Sequence, residues 1–261
     1  MTAALVIDGI AKRYGSVVAV DEVSFEVAMG SRHAVIGPNG AGKSTLFALV
    51  AGTIRPSSGR VHLNSDDVTG LTDHQRARRG LAKTFQHSSI FASMTLLENT
   101  LLAAERSHGR PARPFGRQSQ AAVEAANSAL AQVGLPDRSH VVAGLLSHGE
   151  RRQLEVALAL AAQPSVLLFD EPTAGMSPSE TFRFVELVKG LPVEMTVLII
   201  EHDLDVVFSL ADRVTVMHLG AVIADGTPTQ VRASELVQRT YLGTTPDAAA
   251  VPGPNSKAAP S

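Results

Sequence analysis

The sequence predicts an α/β fold: a largely parallel sheet with helices packed on it, a β-rich N-terminal part and a helical insertion. Three observations carry this. An apolar stretch over 31–36 enters the glycine-rich run Gly37-Pro38-Asn39-Gly40-Ala41-Gly42-Lys43-Ser44-Thr45, and a second apolar stretch over 45–51 follows. Strand, glycine loop and helix in that order is a building unit of parallel sheets. Val166-Leu-Leu-Phe169 ends in Asp170-Glu171, and a strand with no polar side belongs in a sheet covered on both faces. Between these two units, residues 87–145 read as helical, so an insertion interrupts the alternation. The chain's 261 residues suffice for one such domain with its insertion, or for two small domains.

Taken in order, two extended segments open the chain, around 5–7 and over 17–27, the second alternating as half-buried strands do. The helix after the glycine loop begins near Lys43. Pro56-Ser-Ser-Gly59 turns into a strand over 60–63, and 82–86 is a further strand. Thr95-Leu-Leu-Glu98 is a capping box that starts a helix. Another helix covers 118–133 and stops at Gly134. A helix over 151–160 precedes the apolar strand 166–169. Ser177-Pro-Ser-Glu180 is a second capping box, with proline at the first helical position. Strand 196–200, helix 204–210 and strands 214–218 and 222–224 follow, and Thr227-Pro-Thr-Gln230 caps a last helix. From Thr244 the Ala/Pro/Gly/Ser-rich run carries too little apolar surface to order itself. No internal repeat is visible, so the glycine-rich run occurs once per chain.

The glycine run matches G-x-x-x-x-G-K-S, with Gly37, Gly42, Lys43 and Ser44 on the defining positions. Glycines let the backbone wrap an anion and turn successive N–H groups inward, a nest for phosphate. The helix that follows adds its positive end. Lys43 is expected to reach the β- and γ-phosphates and the Ser44 hydroxyl to ligate Mg²⁺. Asp170 and Glu171 leave their strand at its carboxyl end, where such sheets bind ligands. Asp170 is expected to orient Mg²⁺ through its water, and Glu171 to polarise the attacking water.

Composition removes several classes. With 44% apolar and 18% charged residues and a net charge of −2, no sign of charge dominates and nothing points to a nucleic-acid binder. The absence of cysteine excludes disulfides, thiol catalysis and Cys-based zinc sites. Met1-Thr-Ala-Ala-Leu-Val-Ile-Asp8 lacks the basic region of a secretory signal. The longest apolar run, between Glu155 and Asp170, is broken by Gln163 and Pro164 and is too short to cross a bilayer.

From about Leu5 to Gly243 the chain resembles the ATP-binding subunits of ABC transporters. The family's diagnostic Leu-Ser-Gly-Gly-Gln stands here as Leu146-Ser147-His148-Gly149-Glu150, just before the Asp-Glu strand. The resemblance implies an ABC ATPase fold: a P-loop NTPase (RecA-like) core with an antiparallel β subdomain and an inserted α-helical subdomain. It implies ATP and Mg²⁺ as cofactors, and Ser147 and Gly149 as contacts to ATP held by a second, head-to-tail chain. His148 and Glu150 depart from the pattern. Gln86, ending Lys83-Thr-Phe-Gln86, fits the glutamine that senses Mg²⁺ and water. His202 fits the histidine that contacts the γ-phosphate, and Tyr14 the aromatic that stacks on adenine. Ser177 stands where the family usually has aspartate.

On this reading 1–86 is the first part of the ATP-binding core, with the β subdomain and phosphate loop, and 87–145 is the α-helical subdomain. Residues 146–243 hold the signature, the acids and the rest of the core, and 244–261 form a disordered tail. The stretches Lys83-Thr-Phe-Gln86, Leu97-Glu-Asn-Thr100, Ile200-Glu-His-Asp203, Ala224-Asp-Gly-Thr-Pro228 and Tyr241-Leu-Gly243 look like importers of branched-chain and other hydrophobic amino acids. Urea and short-amide importers and the ATPases of lipopolysaccharide export share much of this. The implied partners are integral-membrane permease subunits, a second ATPase (the same chain or a homologue) and an extracytoplasmic substrate-binding protein. The implied location is the cytoplasmic face of the plasma membrane, held there by those partners. A soluble ABC ATPase acting on ribosomes or DNA is a rival, but neither a second nucleotide domain nor a long coiled coil is present. A nucleotide sensor without turnover has no use for a carboxylate placed like Glu171. Arg106, Arg110, Arg113 and Arg117 lie near where membrane subunits dock in this family; a solvated loop is the simpler reading.

Overall fold

The structure is a computed structural model that describes residues 2–84, 90–107 and 119–242. Two sheets organise it. β1 (Ala3–Tyr14) and β2 (Val17–Ala28) form a long antiparallel hairpin, and β4 (Ser58–Leu63) and β5 (Asp66–Asp67) complete a four-stranded sheet in the order β2-β1-β4-β5. The second sheet has six strands. β6 (Leu81–Lys83), β7 (Val166–Asp170), β8 (Thr196–Ile200), β3 (Arg32–Ile36) and β9 (Arg213–His218) run parallel, and β10 (Ala221–Gly226) closes the edge antiparallel to β9.

Strand alternation assigns the two faces of this sheet. Val35, Val166, Leu168, Leu198 and Ile200 pack with α1 (Lys43–Ala51) and the apolar side of the β1–β2 hairpin. Ala34, Ile36, Leu167, Phe169, Val197 and Ile199 point the other way into the remaining helices. Both layers are fully buried, which explains strands without a polar side. The second layer is built by α3 (Leu96–Ser107), α4 (Gln120–Gln132), α5 (His148–Ala161), α6 (Pro178–Lys189) and α7 (Leu204–Leu210). Helices α3 and α4 pack on each other and on α5.

Several elements exceed their sequence signals. β1 continues well past residues 5–7 because register shifts absorb Asp8-Gly9, with Gly9 at φ 54°. α5 starts at His148, not Arg151, because Ser147 caps it. α2 (Asp73–Ala77), not foreseen, is nucleated by a capping box between Thr72 and Gln75. Its Arg76 is wholly buried and donates to the carbonyls of Leu49, Val50, Thr69 and Leu71, closing the C-terminal end of α1. α8 (Pro228–Ala233) is capped by Thr227 as its sequence indicates. Among the described residues no helix is long and apolar enough to cross a membrane.

Candidate phosphate-binding and active site

The loop 37–42 is held open from outside by neighbouring backbone. A Cβ on Gly37 would lie 2.3 Å from the carbonyl oxygen of Met217, and one on Gly42 would lie 2.3 Å from that of Ala19. Gly42 also has φ 97°, so glycine is required there twice over. The Gly220 N–H, from the β9–β10 turn, donates to the Ala41 carbonyl at 3.0 Å. Helix α1 starts at Lys43 with no side chain capping it, so its first amides are left for an anion. Lys43 is buried, and its Nζ donates to the carbonyls of Gly37 at 2.6 Å and Pro38 at 3.2 Å. Burial holds its pKa below the ordinary lysine value, against the pull of Glu171, Asp170 and Glu201. Pro38 and Thr45 are half-buried, and Asn39, Gly40 and Ser44 are exposed.

The acids arrive from the adjacent strands. β8 pairs with β3 on one side and β7 on the other, with Ile200 opposite both Val35 and Asp170. The carboxyl ends of the three strands therefore stand together. Asp170 has its pKa raised to about 6 by burial, then by Glu171 and Glu201, while Lys43 opposes the shift. Its Oδ1 is buried and has no hydrogen-bond partner among the described residues. Glu171 leaves the strand at φ 43° and is fixed by its N–H donating to the Ile200 carbonyl at 2.8 Å. His202 Nδ1 is 3.9 Å from Glu171 Oε2.

One residue escaped the sequence reading as a site element. Glu201 is completely buried, and its carboxylate accepts from the backbone N–H groups of Thr173 (3.2 Å), His202 (2.7 Å) and Asp203 (3.4 Å), and from the Thr173 hydroxyl. It ties the loop after the acids to the histidine. Its signal is its place: Glu201 directly follows the apolar run 197–200, as Asp170 follows the apolar run 166–169.

The remaining candidates lie elsewhere. Tyr14 sits at the β1 end of the hairpin, 52% exposed, with Lys12 Nζ 5.0 Å from its ring centroid. It pairs with Val17, two residues before the Ala19 carbonyl that bounds Gly42. Ser147 and Gly149 open α5, and Gly149 lies against α6, where a Cβ on it would be 3.5 Å from Glu180 Oε1. Glu150, a departure from the usual glutamine, completes a capping box: the Ser147 N–H and hydroxyl each donate to its Oε2 at 2.9 Å. Ser177 likewise caps α6 through Glu180. Gln86 and the arginines at 110, 113 and 117 lie outside the described residues.

The chain is similar to known proteins along most of its length. The family profile described as "ABC transporter" matches residues 20–174, and one described as "Branched-chain amino acid ATP-binding cassette transporter" matches 221–246. The chain is 38% identical over 250 residues to the high-affinity branched-chain amino acid transport ATP-binding protein BraF of Pseudomonas aeruginosa, covering 92% of this chain and 97% of that one. It is 37% identical over 248 residues to LivG of Escherichia coli, which bears the same description, again covering 92% and 97%. The ADP conformation of MJ1267, an ATP-binding cassette of an ABC transporter, superposes with TM-score 0.83 at 32% identity, over 94% of this chain and 100% of that one.

Proposed function

Because the chain belongs to the ATP-binding subunits of ABC transporters, we propose that it hydrolyses ATP to drive membrane subunits that import branched-chain amino acids. The observation that carries the reading is the convergence of one glycine cradle, two acids and a histidine at the carboxyl ends of β3, β7 and β8. The amino-acid substrate is supported by the relatives' own descriptions and by the match over 221–246. That match favours it over a urea or amide importer or a lipopolysaccharide exporter. Location at the cytoplasmic face of the membrane follows from such a partnership.

In this mechanism the amides of 40–45 and Lys43 bind the phosphates, and their fixed positive charge stabilises the phosphoryl group in transfer. Lys43 exchanges its two loop carbonyls for phosphate oxygens. Glu171, held outside its strand, orients water, and His202 holds the γ-phosphate. Tyr14 offers a π-face to adenine. The residues fit Mg²⁺: Ser44 is exposed at the start of α1, and Asp170 presents a buried oxygen that no described donor satisfies. With Gln86, they would hold the ion chiefly through one carboxylate and water, as Mg²⁺ sites on phosphates do. Mg²⁺ held there would supply positive charge that offsets the phosphates during transfer. Ser147 and Gly149 complete the site of a second, head-to-tail ATPase. ATP bound across both chains favours the closed pair, and hydrolysis releases it.

A cleft of about 510 Å³, lined by Leu81, Phe91, Leu102, Ala103, Leu158 and Ala159 among others, offers an apolar seat for a cytoplasmic helix of the membrane subunit. The test is a pull-down from detergent-solubilised membranes with the MgATP-loaded Glu171→Gln chain. Recovery of integral-membrane subunits is expected, and adding leucine, isoleucine or valine with the cognate binding protein should raise ATP turnover of the reconstituted complex. Recovery of ribosomes, nucleic acid or nothing but itself would overturn the transporter reading.

A further inference from the structure

Glu150 poses an electrostatic problem that the structure answers. On the reading above, the start of α5 must receive a phosphate of ATP held by the other chain. Yet Glu150 places a carboxylate on the groups meant for it: both the N–H and the hydroxyl of Ser147 donate to Oε2 at 2.9 Å. A second carboxylate, Glu180, stands beside Gly149. Glu180 has His148 and Arg183 close by to offset it, so the obstacle an anion meets at this corner is Glu150 and the hydroxyl already committed to it.

The other oxygen of Glu150 is held from outside the helix. Oε1 accepts from Arg138 Nη1, and this ion pair is partly shielded, the Glu150 side chain being 24% exposed and that of Arg138 41%. Arg138 ends a short 3₁₀ turn, Pro136–Arg138, that packs on α4, so it approaches from the helical insertion. The neighbouring basic residues are engaged differently: Arg151 donates to the Gly144 carbonyl and Arg152 pairs with Glu155.

We propose that Arg138 is a positioning residue for the shared ATP site. It compensates the charge of Glu150 and gives that carboxylate a partner to keep when phosphate takes over the hydroxyl and amide of Ser147. Charge-assisted pairing with a guanidinium is strong enough to hold the carboxylate aside. Without it, the same carboxylate competes with phosphate for Ser147.

The inference rests on the two-chain ATP site, and the test separates the two. ATP-driven dimerisation of the Glu171→Gln chain is followed by sedimentation velocity against ATP concentration. Five versions are compared: that parent, and the parent carrying Arg138→Gln, Arg138→Lys, Glu150→Gln, or Arg138→Gln with Glu150→Gln. Glutamine at 150 preserves the capping box, so α5 keeps its start. Arg138→Gln is expected to raise the ATP concentration for half-dimerisation by roughly tenfold, the scale of coupling between charges in contact. Adding Glu150→Gln should restore the parent value, and Arg138→Lys should restore most of it. A merely structural role for Arg138 predicts no rescue by removing its partner. An unchanged ATP requirement in Arg138→Gln, or no rescue in the double variant, overturns the inference alone. Failure of the parent itself to dimerise with ATP overturns the two-chain site for this protein and the inference with it.

Discussion

Glu201 and His202 are neighbours in sequence and are locked together twice: the carboxylate of Glu201 accepts the backbone N–H of His202 at 2.7 Å and lies 3.3 Å from its ring Nδ1. The same carboxylate holds Thr173, two residues beyond Glu171. A buried acid with no exposed surface thus sets the spacing between the Glu171 loop and the histidine.

Glu201→Gln should therefore impair the chemical step more than ATP binding. Its amide keeps the shape but converts one acceptor into a donor that faces backbone N–H groups. The expected loss is about 10- to 100-fold in kcat, the range that small displacements of catalytic groups produce, with KM little changed. Stability should fall by about 1–3 kcal/mol, the cost of donors left unsatisfied in a buried site. Steady-state ATP hydrolysis and urea unfolding measure the two. A kcat equal to the parent's would remove Glu201 from the site.

Lys43→Ala and Glu171→Gln should fail in opposite ways. Lys43 is buried within the loop and bonded to its carbonyls, so alanine removes a cation that phosphate would meet. ATP affinity should drop by about tenfold or more. Glu171 acts on Lys43 through charge, so glutamine should leave affinity largely intact and slow single-turnover hydrolysis by about 10²- to 10⁴-fold. Titration calorimetry and single-turnover assays distinguish the two. Fast hydrolysis by Glu171→Gln would assign the water to another residue.

What the sequence discloses and conceals follows from the range of the interactions. The phosphate loop, the strand Val166–Asp170 and the capping boxes at Ser177 and Thr227 are local: a few adjacent residues specify them. The α/β class follows from those units. Arg76 and Arg138 act across 27 and 12 residues of separation, so no spacing rule reveals them; Glu201 reaches Thr173 across 28 residues, and only its place after an apolar run marks it in the sequence. The alternation hides the length of β1 because bulges break it, and the start of α5 lies before its apolar periodicity because the Ser147–Glu150 capping box extends it.

Arg76 makes a long-range prediction about stability. Its guanidinium is fully buried and answers four carbonyls, two of them at the end of the helix that begins at the phosphate loop. Arg76→Met fills similar volume but strands those carbonyls, with an expected cost of about 3 kcal/mol. Urea midpoints in the presence and absence of ATP measure it. A variant as stable as the parent would show that water reaches those carbonyls.

Asp170 makes the unfolding free energy depend on pH in a defined direction. Its folded pKa, about 6, lies above the model-peptide value of 3.8 because burial and the nearby acids disfavour the anion. Between those values the folded chain binds more protons than the unfolded one, so this residue's contribution falls as pH rises through the window and is fully lost above about pH 6. Asp170→Asn should therefore stabilise the nucleotide-free chain at pH 7.5 by about 1–2 kcal/mol, allowing for solvent screening, and by roughly half as much at pH 5. The same substitution should abolish the stabilisation that MgATP gives the parent over ATP with EDTA, because the neutral amide replaces the buried oxygen expected to face the ion. Urea unfolding at the two pH values, each with and without MgATP, tests both signs together. Equal stabilisation at pH 5 and 7.5 would mean that the carboxylate is solvated in the folded chain, and its assignment to the metal would lose its electrostatic basis.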